Sequence, residues 1–205
     1  MIAYATTTRT RRNVSALRAA GWRLLLTPDI HTLHDGFAYA LDNGAWGAYQ
    51  RGDAWPEEKF VELVERYGAS ADWVVAPDIV MGGAESLRRS VEWLPRLVGV
   101  TRVLLAVQDG MQPADVGHLL DDQVGIFVGG STEWKLATMR QWGDACVEAG
   151  AWCHVGRVNS VRRIRLCHSA RVTSFDGTSA TRFAVNINNL TAASRLQALP
   201  GVFDG

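Results

Sequence analysis

Short apolar runs recur along the chain and alternate with longer stretches in which apolar residues return every three or four positions. Eight runs stand out: Ile2 to Ala5, Arg23 to Leu26, Ala38 to Leu41, Trp73 to Ala76, Val103 to Val107, Gly125 to Val128, Trp152 to Val155, and Val172 to Phe175. They are rich in Val, Ile, Leu and Phe, the pattern of strands in a parallel sheet covered by helices. Helical periodicity is clearest over Pro56 to Tyr67, Ala84 to Leu97, Thr132 to Glu148 and Ser160 to Cys167. Pro56 suits a first helical turn, and Ser131 or Thr132 can cap the third helix. Eight strands in βα alternation predict a closed (β/α)8 TIM barrel, with the amphipathic piece Asn189 to Leu199 packed against it.

Length and composition fit that prediction. The 205 residues are 47% hydrophobic, enough for one well-buried domain spanning 1–205 and short for a barrel of this kind. No internal repeat, low-complexity tract or long linker interrupts the chain. Three widely spaced cysteines, Cys146, Cys153 and Cys167, make neither a disulfide framework nor a metal-ligand pattern. That usage, with no signal-like start or membrane-length apolar run, leads us to expect a soluble protein of the cytoplasm without membrane partners.

Charge is balanced overall, 21 basic against 21 acidic residues, so any polyanion site must be local. Five Arg without an acid lie between Arg9 and Arg23, and six between Arg157 and Arg182 surround the single acid Asp176. Solvated helix faces account for such runs as readily as a binding site does.

In a barrel of this type chemistry sits where the strands end. The third run is followed by Asp42-Asn43-Gly44, the fourth by Pro77-Asp78, and the fifth by Gln108-Asp109-Gly110. Gly129-Gly130-Ser131 follows the sixth, Gly156-Arg157 the seventh and Asp176-Gly177-Thr178 the eighth. Each alone reads as a turn. Together they put several carboxylates and an amide on one rim, which is costly unless the groups are used or paired. Such a set suits displacement at a sugar carbon, in which one carboxylate attacks and a second group shuttles the proton of the leaving or entering base. Two inversions give net retention, and the remaining Asp and Gln can read a purine edge.

These segments, in this order, resemble the tRNA-guanine transglycosylases, and most of all their short phage and bacterial relatives that insert 7-deazaguanine bases into DNA. Leu41-Asp42-Asn43-Gly44-Ala45-Trp46 resembles the segment carrying the family's general acid/base, and Phe175-Asp176-Gly177-Thr178-Ser179-Ala180-Thr181-Arg182 the one carrying its nucleophile. The resemblance implies a pentosyltransferase with Asp176 and Asp42 as catalytic residues. It implies Asp78, Gln108, Gly129 and Gly130 as base-binding residues, with His154 on the next wall of that pocket; a packed strand residue with a satisfied ring is the other reading of His154. We add Arg157 and Arg182 as candidates for phosphate contacts, with backbone N–H groups before the Ser160 helix, or else as partners of a rim carboxylate, and Trp46 and Trp134 as candidates for base stacking. The partners implied are DNA and a free 7-deazaguanine such as preQ0, in a bacterial or phage-infected cell; RNA is the alternative polymer, and a helper protein or homodimer stays open. No cofactor is expected. No Cys follows Cys167, so the structural zinc of the tRNA enzymes has no thiolate ligands here, and we expect no metal. Three rival readings stand beside this one: an RNA transglycosylase, a base-hydrolysing glycosylase, and a non-catalytic base-binding subunit.

Overall fold

Eight parallel strands close into a barrel in the order β1-β2-β3-β4-β5-β6-β7-β8, in a computed structural model that describes residues 1–182 and 184–195, with the backbone alone at Arg182. The strands are β1 (Ile2–Thr6), β2 (Arg23–Leu26), β3 (Tyr39–Leu41), β4 (Val74–Val75), β5 (Val103–Val107), β6 (Val124–Val128), β7 (Cys153–Val155) and β8 (Ser174–Asp176). Closure comes from β1 pairing with both β2 and β8, Tyr4 lying opposite Asp176. All eight expected strands are present. The ladder at β4 reaches beyond its two residues, because Trp73 O accepts from Leu41 N and Ala76 N donates to Leu104 O. The last strand lies later than expected, so that Asp176 belongs to the strand itself.

The long helices form where the sequence predicts them. They are α3 (Glu57–Tyr67), α4 (Gly83–Leu97), α6 (Thr132–Glu148) and α7 (Val161–Ser169). Pro56 stands just before α3, and the Ser131 hydroxyl caps α6 by accepting from Trp134 N. Shorter helices fill the rest of the ring: α1 (Arg11–Ala20), α2 (Ala45–Arg51), α5 (Pro113–Val116) and α8 (Ser179–Arg182). The final helix, α9 (Ala184–Arg195), starts earlier than the predicted amphipathic piece, whose residues 196–199 lie outside the described residues. It is tied down where Trp22 Nε1 donates to Thr191 Oγ1 at 2.7 Å and His168 meets Ala193 O.

Two apolar layers result from the two faces of each strand. The larger lies between barrel and helices and includes Leu24, Leu41, Phe60, Trp142 and Phe175. The smaller fills the barrel itself, with Tyr4, Leu25, Ala40, Trp73, Val75, Leu104 and Ala106 inside and Ile2, Phe127 and Trp152 against them. The floor is polar: Tyr4 Oη donates to Asp72 at 2.8 Å, and Asp72 pairs with Arg23 at 2.7 Å.

Alternation along the strands then fixes what faces the mouth. Two residues beyond the interior Ala40 comes Asp42, two beyond Ala106 comes Gln108, and two beyond Ser174 comes Asp176.

Candidate active site

Asp176 is buried apart from a small edge at the top of β8. Its carboxylate is oriented by one backbone group, the N–H of Arg157, which lies 3.0 and 3.1 Å from its two oxygens. Arg157 achieves this in the left-handed region, at φ 59°, a conformation that carries strain in a residue with a side chain. Its guanidinium turns back across the mouth, donates to Gly130 O at 2.7 Å and lies 4.2 Å over the Trp46 ring. Arg157 therefore pairs with no rim carboxylate among the described residues; it ties the β6, β7 and β3 loops together.

Asp42 follows β3, and its Oδ1 accepts from Gly44 N at 2.7 Å. Its carboxyl is half-buried in the rim and faces the charges of Asp176 and Asp78. Desolvation first, then those charges, push it up to about 7. Asp78 is also raised by desolvation, against the opposing pull of Asn43, whose Nδ2 donates to Asp78 Oδ1 at 2.8 Å, and of the Arg89 charge. Asn43 is a buried crosspiece: it also donates to Ala76 O at 2.7 Å, accepts from Ala45 N at 2.8 Å, and its own carbonyl accepts from Trp55 Nε1.

Gln108 is buried, and its amide nitrogen donates to Ile79 O and to Ser86 Oγ, leaving its carbonyl oxygen as the end free to accept. Asp109, the further rim acid, clamps the glycine loop. It accepts from Ser131 N at 2.7 Å and Ser131 Oγ at 2.6 Å, and these bonds hold its carboxyl below the usual range. Gly130 has to be glycine: its φ is 69°, and a Cβ there would meet the Asp109 carboxylate and the Trp134 ring. Gly129 joins the ladder through its N–H to Val107 O.

The structure brings Asp42, Asp78, Gln108, Gly129, Gly130, Arg157 and Asp176 together at one end of the barrel. His154 needs correction. Expected on the wall of the base pocket, it is instead wholly buried beneath Asp176, among Phe127, Trp73 and Tyr4, with ring centroids 5.0, 4.6 and 5.7 Å away. Strand alternation accounts for this: His154 is opposite Ser174, one pleat below the rim. Trp134 packs under Gly130 and beside Trp142, whereas Trp46 is 39% exposed and stacks on Tyr49. The side chain of Arg182 lies outside the described residues.

Sequence reasoning missed Lys135. It is buried on α6, its Nζ donates to Gly156 O at 2.6 Å beneath the Arg157 turn, and desolvation lowers it to about 8 while the Asp176 charge opposes that shift. The signal was present: Lys135 shares the helical stripe of Met139, Trp142 and Cys146, a face that otherwise points inward. Asn43 was in view but read only as part of a turn.

Among the described residues no group of three or more His, Cys, Asp or Glu could hold a metal ion, and no helix is long and apolar enough to cross a membrane. No protein-family model matches the chain, and no curated protein does.

Proposed function

We propose that the protein exchanges guanine in DNA for a 7-deazaguanine base, through a covalent glycosyl-aspartate on Asp176. The observation that carries this reading is the pairing of two differently treated carboxyl groups at one mouth. Asp176 is held at both oxygens by a backbone N–H, as a nucleophile with a fixed direction of attack should be. Asp42 is half-buried in the rim and pushed up to about 7, where one group can both give and take a proton near neutral pH.

Asp176 attacks C1′ as the C1′–N9 bond breaks, and the bonding pair leaves with guanine, which takes a proton from Asp42. The entering base returns a proton to Asp42, its N9 displaces the aspartyl ester, and Asp176 is regenerated as a carboxylate. Asp78 and the Gln108 carbonyl accept from N–H groups of the base edge, and the Gly129-Gly130 backbone lines its other side. The target nucleotide has to leave the stack to reach C1′. Support for a strand beside the mouth comes from the exposed Tyr49 ring, which stacks on the Arg157-covered Trp46 with centroids 5.9 Å apart and offers a flanking base a stacking surface. Across the mouth from them, between α6 and α7, an open cleft of about 360 Å³ lined by Ser160, Arg162 and Arg163 offers phosphate groups a basic surface.

Radiolabelled guanine incubated with the protein and matched DNA and RNA oligonucleotides tests the reading. Label should enter DNA, and an Asp176→Asn variant that keeps the fold should abolish it. Label in RNA alone would replace the polymer, abasic sites forming without added base would replace exchange by hydrolysis, and label in neither would overturn base exchange.

A further inference from the structure

Beneath Asp176 lies a buried relay for which base exchange, as described above, has no use. The His154 ring is wholly buried, its Nδ1 is 2.8 Å from Ser174 Oγ, and its Nε2 has no hydrogen-bond partner among the described residues. A fully buried ring nitrogen without a partner is costly, and Asp176 Oδ2 stands 3.8 Å from it.

The direction of the bonds fixes the tautomer. Trp152 Nε1 can only donate, and it does so to Ser174 Oγ at 2.7 Å. If His154 Nδ1 also donated to that oxygen, the single hydroxyl hydrogen of Ser174 would have no acceptor among the described residues. With Nδ1 as acceptor, indole, hydroxyl and imidazole form a directed chain, Trp152 to Ser174 to His154, and the imidazole proton is on Nε2. The ring cannot turn away, because Phe127 stacks on it at 24° and Trp73 and Tyr4 close the other sides.

We propose that His154 is a positioning residue for Asp176: a neutral imidazole whose Nε2–H, set by Ser174 and Trp152, is aimed at the carboxylate from below. At 3.8 Å the contact is too long for a hydrogen bond, and a small rotation of the carboxyl group closes it. This rests on Asp176 being the nucleophile. The donor then acts when the aspartyl ester is displaced, because the departing carboxylate regains its charge next to a waiting N–H. The charged groups that act on the ring are Asp176 from β8 and Lys135 from α6; the Tyr4 hydroxyl on β1 is already given to Asp72 on the floor.

Two measurements test it separately. In protein with 15N-labelled histidine and no substrate, the His154 resonances should be those of a neutral ring protonated at Nε2, and Asp176→Asn should move the Nε2 signal. A proton on Nδ1, or a doubly protonated ring at neutral pH, would overturn the proposal. In the exchange assay, His154→Phe keeps the aromatic packing without a donor. It should lower kcat about ten- to a hundredfold, the worth of one hydrogen bond to a charged group, and leave KM unchanged. The glycosyl-enzyme should accumulate in that variant, and His154→Gln, which restores an N–H, should regain part of kcat. A change in KM alone would assign His154 to packing. If wild-type protein exchanges no base, the catalytic reading fails while the tautomer measurement still decides whether His154 serves Asp176.

Discussion

A carboxyl group partly withdrawn from water and faced by two other carboxylates keeps its proton to higher pH, and Asp42 is in that position, pushed up to about 7. The folded state then binds this proton more tightly than the unfolded chain. The stabilisation is full below the ordinary carboxylate range and is lost as pH rises through about 7. A carbon-detected NMR titration of Asp42 should show a midpoint near 7. In Asp176→Asn that midpoint should fall, because one of the two facing charges is gone; an ordinary, unshifted midpoint in the wild type would contradict the arrangement. Asp42, Gln108 and Asp176 could be read from sequence because a strand places every second residue on one face, so an interior Ala40, Ala106 or Ser174 announces what stands above it. The same rule places His154 inside the barrel, and the expectation of a pocket wall failed because chain position alone does not reveal how far below the rim a residue lies. Nor could sequence reveal that a backbone N–H, from Arg157 at positive φ, holds Asp176.

Elements pack closely enough here for a single methyl group to matter. Gly143 on α6 faces the turn after α7, and the Ala170 carbonyl occupies the space that a Cβ would need. Because the obstruction is backbone, Gly143→Ala should destabilise the fold by about 1–3 kcal/mol through overpacking, read from urea or thermal unfolding. A neutral or stabilising effect would show that α6 and α7 are not packed as described. Long helices and most strands were legible because their periods persist for several turns or span a whole apolar run. The weak elements failed on specific residues. Helix α2 begins directly after Asp42-Asn43-Gly44, which reads as a turn, and contains Gly47. Helix α1 has a single fully buried residue, Leu17, on an Arg-rich surface, so few large apolar residues mark it in the sequence. Its arginines are the solvated face that one reading of the Arg run anticipated, apart from Arg23 beyond it, which pairs with Asp72.

At the scale of the molecule the two barrel ends are built differently. The floor is closed by the Tyr4, Asp72 and Arg23 chain of bonds, and the mouth gathers the acids, the glycine loop and the Arg157 bridge. With no net charge, attraction to a polyanion has to come from local groups such as Arg157, Arg162 and Arg163. The central claim, that Asp176 carries the sugar, is tested most directly by trapping the intermediate. The protein would be mixed with a guanine-containing DNA oligonucleotide, denatured at once, and its peptides mapped by mass spectrometry. The account predicts a DNA adduct that survives denaturation, maps to Asp176 and is absent from Asp176→Asn; an adduct on another residue, or undiminished base exchange in Asp176→Asn, would contradict it.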